Sequence, residues 1–542
     1  MVRPSHTLVF TGAVLASLAA IMLIFPKDGI GLGKDLTLYF PDFQEWWREA
    51  SMKPDTNNLS TAYIPDLVEE DLDPSSAAER DFFDSLQDTA LLAGADIPTV
   101  DSSVYGFKPK AINVDNIRQP LELPESGLGC LENLFKCLIN PDELVNVVRI
   151  LHYGDSQIET DRISNYLRYK LQQQFGGSGP GLIPAKTPYD YKSPCQVINE
   201  QGTWKRYTIF PKIDTTVKHS RYGVLASFSR FSPIINIPEP KAVADTVSES
   251  DSSISAVAVA PAPVVEDADT KDFYHAALKF IPSKVGHSNV GAIKRVKMFY
   301  GYNTKPFNVK VMDGESVLYS DKLESHTSGL ASKTWNFANT PADFRMEFDG
   351  ADSPEIYGFA MDGLSGVAVD NIPLRGCSGT IFTKMNGSFL AQMYRELHVK
   401  CIILQFGGNA VPSLQPGAVG GFKKSFAAQI NYIRRIFPGV SIIVIGPADM
   451  SRKVEGSDQM ETYPVLPELV SALRSAALSN NCAYWDMYSA MGGINTMPDW
   501  VYHEPPYAEK DFVHFTPNGA NVMARMFYSA LIARYNEYIG GK

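Results

Sequence analysis

Residues 145–153 (VNVVRILHY) are apolar at most positions with no strict period of two, which is the pattern of a strand covered on both faces in a parallel sheet. The run ends at Gly154-Asp155-Ser156. Residues 157–175 then place Ile163, Leu167 and Leu171 at helical spacing and stop at a Gly-rich stretch, 176–181, which reads as a turn. The spacing predicts Ser156 at a strand-to-helix junction, its N–H under the positive end of the helix dipole. Further on come strands over 367–374, 400–406, 440–446 and 483–487 and helices over 422–437 and 466–478. A last helix starts after Thr516, with Thr516 as its cap and Pro517 at its first position. Strands alternating with helices predict an α/β domain of three layers, flavodoxin-like, around a doubly wound parallel sheet.

Between these two halves the rhythm breaks. Short alternating segments at 273–281, 293–300, 307–319 and 344–348 predict an inserted all-β sandwich. Within it, residues 238–270 form a Pro/Ala/Val/Ser tract without aromatics, read as a disordered loop. At the start of the chain, residues 7–25 carry no charge and are rich in Leu, Ala, Ile and Val, nearly enough to span a bilayer. A cleaved signal peptide is the alternative, with small residues at Ser17-Leu18-Ala19, but the apolar run continues past them to Phe25. The expected organisation is a transmembrane helix or signal segment at 1–26, a tether at 27–125, the α/β domain at 126–190 and 362–542, and the insertion at 191–361. The catalytic part would then lie on the exported side of a membrane.

At 542 residues the chain has ample apolar material for more than one core. Its net charge of −11 offers no basic footprint, which argues against nucleic acid as a partner. An acidic polymer meets repulsion on average, although a local cationic cleft can still accept one. The six cysteines are too few for a disulfide scaffold, and a helix between Cys130 and Cys137 places them poorly for a bridge. Cys401 reads as packing. No His/Cys cluster has zinc spacing, and no GK[ST] follows the Gly-rich stretch, so neither a metal nor a nucleotide cofactor is expected.

Hydrolysis of an ester by a serine needs a base, a group that orients the base, and donors for the oxyanion. Ser156 is the candidate nucleophile. Asp511-Phe512-Val513-His514 puts a carboxylate and an imidazole three residues apart on the loop before the last helix, so that one ring nitrogen can meet the carboxylate and the other the serine. Each motif alone has a bland reading, a serine cap or a surface pair; together, in the order Ser, Asp, His, they describe a hydrolase. No GxSxG elbow surrounds Ser156, which speaks against the α/β-hydrolase fold.

With these residues in place the sequence resembles the SGNH/GDSL hydrolases over about 131–189 and 363–538. Tyr153-Gly154-Asp155-Ser156 matches the first block of that family. Gly376 stands for the second, in Arg375-Gly376-Cys377 where relatives often have Asn-Gly-Ala, and Gly407-Gly408-Asn409 matches the third. The resemblance implies a triad of Ser156, Asp511 and His514 and an oxyanion hole of the Ser156 and Gly376 N–H groups and the Asn409 amide. It is nearer still to exported polysaccharide and peptidoglycan O-acetylesterases, in which a carbohydrate-binding-like sandwich interrupts the catalytic domain. On that likeness Asp449 and Asp486 anchor loops, Met497 and Trp500 lie near the acyl pocket or in the core, and Trp204 and Trp335 hold glycan or fill the sandwich. The expected function is removal of short acyl groups, acetyl first, from an envelope or extracellular glycan. The partners are then an acylated polysaccharide or peptidoglycan and, through the N-terminal helix, a membrane. A glycan O-acetyltransferase using the same triad and a glycan-binding scaffold with a vestigial SGNH unit are the alternatives.

Overall fold

The computed structural model describes residues 30–31, 37–38, 109–187, 194–231, 233–234, 273–282, 288–415 and 417–541. Two units separate, 1–61 and 62–542. In the first, the described residues are a short antiparallel pair, Ile30–Gly31 with Thr37–Leu38. Everything below belongs to the second. The expected membrane segment at 1–26, most of the tether and the loop at 238–270 lie outside the described residues. Among the described residues no helix is long and apolar enough to cross a membrane.

Five parallel strands form the centre of the larger unit: β1 (Val148–Gly154), β2 (Val367–Pro373), β3 (Val399–Gln405), β4 (Ser441–Ile445) and β5 (Ala483–Trp485). Their spatial order is β2-β1-β3-β4-β5, the flavodoxin-like arrangement whose switch point lies between β1 and β3. Successive side chains leave a strand on opposite faces, and both faces are covered. Val148, Ile150, Ile403 and Ile443 pack with helix Glu132–Ile139, α1 (Ser164–Phe175) and α5 (Pro517–Gly540). Leu151, Tyr153, Ile402, Leu404 and Val444 pack with α2 (Gly387–Glu396), α3 (Val419–Ile436) and α4 (Leu466–Ser479). This double covering is why the strands read as unbroken apolar runs.

Three expectations change. The helix predicted over 157–175 is interrupted: residues 156–161 form a 3-10 turn with Glu159 extended and Thr160 left-handed, and α1 begins only at Ser164. Buried polar contacts divert the chain. Asn371 on β2 donates to the Ile158 carbonyl at 2.9 Å, and Asp161 is held by both terminal nitrogens of Arg168 at 2.6 and 2.9 Å. The dipole of α1 therefore does not start at Ser156. Residues 109–125, expected in the tether, pack on the domain instead: Glu122 forms an antiparallel bridge with Tyr484, and Arg534 donates to the Leu121 carbonyl. This covers the outer edge of β5, which would otherwise present unpaired backbone groups. All six cysteines are buried and unbridged.

The third change concerns the insertion. Among the described residues it consists of two antiparallel six-stranded sheets, with Phe280, Val309, Phe348 and Phe359 in the core between them. It begins earlier than residue 191, because Gly181–Ile183 already pairs with Glu355–Asp362. The Gly-rich stretch is the doorway through which the chain leaves and re-enters the α/β layers. A Cβ on Gly177 (φ +114°) would stand 2.4 Å from the Val367 carbonyl oxygen, and one on Gly366 (φ +90°) would stand 2.2 Å from Gly176. Only glycine lets the two passing backbones come so close. A buried ion triplet ties the same junction: Arg149 on β1 reaches Asp370 on β2 at 2.7 Å and Asp362 in the sandwich at 2.5 Å.

Candidate active site

The chain leaves β1 at Gly154 and β3 at Gln405, so the residues that follow both strands meet at the carboxyl edge of the sheet beside the switch point, where open α/β sheets bind ligands. Ser156 follows β1; Gly407, Gly408 and Asn409 follow β3. From the far end of the sequence, the loop before α5 brings Asp511 and His514 to the same place. Ser156 Oγ lies 2.8 Å from His514 Nε2, and His514 Nδ1 lies 2.6 Å from Asp511 Oδ2. Asp511 also accepts the Val513 and His514 backbone N–H groups at 2.9 and 3.0 Å. Burial pushes its carboxyl up, but these hydrogen bonds outweigh that and leave it below the usual carboxylate range.

Asn409 reaches the same cavity, and its amide donates to the Cys377 carbonyl at 3.4 Å. Gly376, one residue earlier, is exposed on the turn after β2 with a left-handed φ of +78°. It does not line the cavity, though its neighbour's carbonyl holds Asn409. Among the described residues no acceptor takes the N–H of Ser156 or Gly376.

The cavity over the serine encloses about 200 Å³. Pro412, Pro447, Ala448, Met450, Tyr463 and Met487 give it apolar walls opposite the polar groups. Met497 and Trp500 are not among its walls: both are fully buried beneath, with Trp500 packed on Tyr507 and Phe515. Trp204 and Trp335 are likewise core of the sandwich, 1% and 2% exposed, with no face free for a glycan. Asp449 accepts from Thr462 Oγ1 at 2.6 Å and the Met497 N–H at 2.8 Å, while Asp486 caps the helix Met487–Met491. Both carboxylates anchor loops.

Several residues of the site had no role assigned from the sequence. Gln157 donates its amide to the Val513 carbonyl at 2.6 Å and accepts the Phe515 N–H at 3.3 Å, clamping the backbone on both sides of His514. Arg162 donates to the Ser156 carbonyl at 3.2 Å. Asp155 is buried and accepts the Gln157 N–H at 3.0 Å; burial pushes its carboxyl up to about 6, with the Gln157 N–H, His514 and Asn409 pulling the other way. Behind them His152, fully buried, meets Gln405 at 3.0 Å and Ser164 at 2.9 Å, and burial lowers its pKa to about 4, so the ring is neutral at pH 7. A glutamine after the serine has no visible partner until a loop more than three hundred residues away is placed beside it.

No protein-family model and no curated protein matches the chain. Solved structures do. A peptidoglycan O-acetylesterase superposes with a TM-score of 0.55 at 17% identity, covering 78% of this chain and 99% of its own. The chain has the SGNH/GDSL hydrolase fold. Shorter matches are Est24, a carbohydrate acetylesterase from Sinorhizobium meliloti (12% identity, 31% of this chain, 78% of that one, TM-score 0.22), and an acetyl xylan esterase, AlAXEase (15%, 30%, 81%, 0.24). A match over 78% of this chain is too broad for either part alone, so it reaches into both the parallel-sheet domain and the inserted β structure.

Proposed function

We propose that this chain is a serine esterase that removes short acyl groups, acetyl foremost, from an envelope or extracellular glycan. The observation that carries the reading is the hydrogen-bonded line Asp511, His514, Ser156 at the mouth of a small cavity with apolar walls. The fold shared with a peptidoglycan O-acetylesterase supports a glycan O-acetyl group as the substrate.

In the first half-reaction Ser156 Oγ attacks the acyl carbonyl carbon while its proton passes to His514 Nε2. Asp511 accepts from Nδ1, which fixes the tautomer and stabilises the imidazolium. Negative charge gathers on the former carbonyl oxygen, where the Ser156 N–H and the Asn409 amide, both at the cavity, are the donors. Collapse breaks the ester C–O bond, and the sugar oxygen leaves with the proton from His514. Water repeats the sequence on the acyl-serine and releases the carboxylic acid.

The cavity favours a short acyl chain, since about 200 Å³ also has to hold the attacking groups. The test is a series of fluorogenic esters of rising acyl length. The expected result is greatest kcat/KM at acetyl or propionyl and a fall of more than about tenfold by octanoyl, because overfilling a packed cavity costs more than about 1 kcal/mol. A rate that rises steadily with chain length contradicts the short-acyl assignment.

A further inference from the structure

A second groove, about 560 Å³ and open to solvent, lies where the sandwich strand Trp204–Thr208 meets the turn after β2. Among the described residues its lining carries Lys186, Lys205, Arg206 and Arg375 and no carboxylate, in a chain with 60 acidic against 49 basic residues. Acids outside the lining brace Lys205, which meets Asp214 at 2.7 Å, and Arg375, which meets Glu159 at 2.7 Å. Arg206 donates to Ser227 Oγ at 3.1 Å, and Lys186 donates to the Trp204 carbonyl, a neutral acceptor, at 2.7 Å. Half-buried Phe210 adds an aromatic surface on which the apolar face of a sugar ring can rest.

The groove and the catalytic cavity have no lining residue in common, but the turn after β2 links them. Pro373, Leu374 and Arg375 line the groove, and two residues on, the Cys377 carbonyl holds Asn409. The Leu374 N–H donates to the Gly154 carbonyl at 2.8 Å, and Glu159, the partner of Arg375, lies three residues past Ser156. The ring of Phe210 comes within 3.9 Å of where a Cβ on Gly376 would stand.

We propose that this groove binds an anionic stretch of the glycan, with carboxylates on sugar units neighbouring the acylated one. The proposal rests on the esterase reading for its place in the reaction, but not for the binding itself. The overall negative charge of the chain repels such a polymer at long range, and the groove supplies the local cationic surface that can hold it.

The test is calorimetric titration of the full chain with a short oligogalacturonate and with its methyl ester, which keeps the sugar and removes the charge. The expected result is at least about tenfold tighter binding of the free acid, weakening several-fold between about 0.05 and about 0.5 M salt as the charges are screened. Lys186→Gln/Lys205→Gln should lose about tenfold in that affinity while kcat and KM on a small neutral acetyl ester stay at wild-type values. Equal binding of the acid and its methyl ester overturns the proposal, and so does a double variant that binds as wild type. A sulfated oligosaccharide that binds tighter than the galacturonate overturns the choice of carboxylate. Because binding is read without turnover, failure of the esterase reading and failure of this one are seen separately.

Discussion

His514 has to offer one ring nitrogen to Ser156 and the other to Asp511, and side chains from two distant segments hold it there. Asp511 fixes the turn by accepting two backbone N–H groups besides the ring, and Gln157 fixes the loop against β1. Asp511→Asn should therefore keep the fold but lower kcat by up to about ten-thousandfold, because the amide stabilises the wrong tautomer. Gln157→Ala should lower kcat about tenfold to a hundredfold with little change in KM, since a displaced base slows reaction more than binding. Both follow from initial rates on a small acetyl ester, and unchanged rates would remove the proposed roles. Asp155 makes a separate prediction for stability. Its carboxyl titrates near about 6 in the folded chain because it is buried, and near about 4 when unfolded. The stabilising term is present below about pH 4 and lost as pH rises through about 6, an effect on the order of 3 kcal/mol. Asp155→Asn should flatten that part of the curve of unfolding midpoint against pH; an unchanged slope would contradict it. Ser156, Asp511 and His514 could be named as candidates from the sequence because each sits in a short motif with a chemical reason for its spacing, and the fold brings the three within hydrogen-bond distance. Gln157 and Asp155 act through partners and burial that only the fold supplies.

At the scale of elements, the five parallel strands were legible because covering both faces makes each an unbroken apolar run. The start of α1 was not. Asn371, Asp161 and Arg168 are polar residues at ordinary spacings, and only their burial against one another turns the chain out of a helix after Ser156. The doorway at residues 176–181 was legible as a turn but not as a junction, since its glycines answer to Val367 and Gly366 nearly two hundred residues away. The triplet of Arg149, Asp362 and Asp370 makes this junction costly to disturb: removing the guanidinium takes from two buried carboxylates the cation that bonds both, and leaves Arg295 near Asp362 alone. Arg149→Met should destabilise the unit by about 3–5 kcal/mol, read from the midpoint of urea unfolding. A shift within error of wild type would show that the triplet does not tie the sandwich to the parallel sheet.

Over the whole molecule, the sandwich interrupts the SGNH/GDSL fold between β1 and β2, yet the residues proposed to react lie after β1, after β3 and just before α5. The insertion leaves that constellation together and adds a basic groove beside the turn after β2. The sequence pattern disclosed an inserted β unit through its change of period. It did not disclose the groove, whose four cations are scattered between residues 186 and 375 and converge only when Trp204–Thr208 docks beside β2. Net charge misleads here, because −11 describes the average surface and not this face. The central claim, that Ser156 is the nucleophile of an acyl-transfer site, is most directly tested by the initial rate of acetate release from a soluble acetyl ester by the wild-type chain and by Ser156→Ala. Measurable turnover is expected for the wild type and a loss of at least about a thousandfold for the variant. A Ser156→Ala chain that releases acetate at the wild-type rate would contradict that claim.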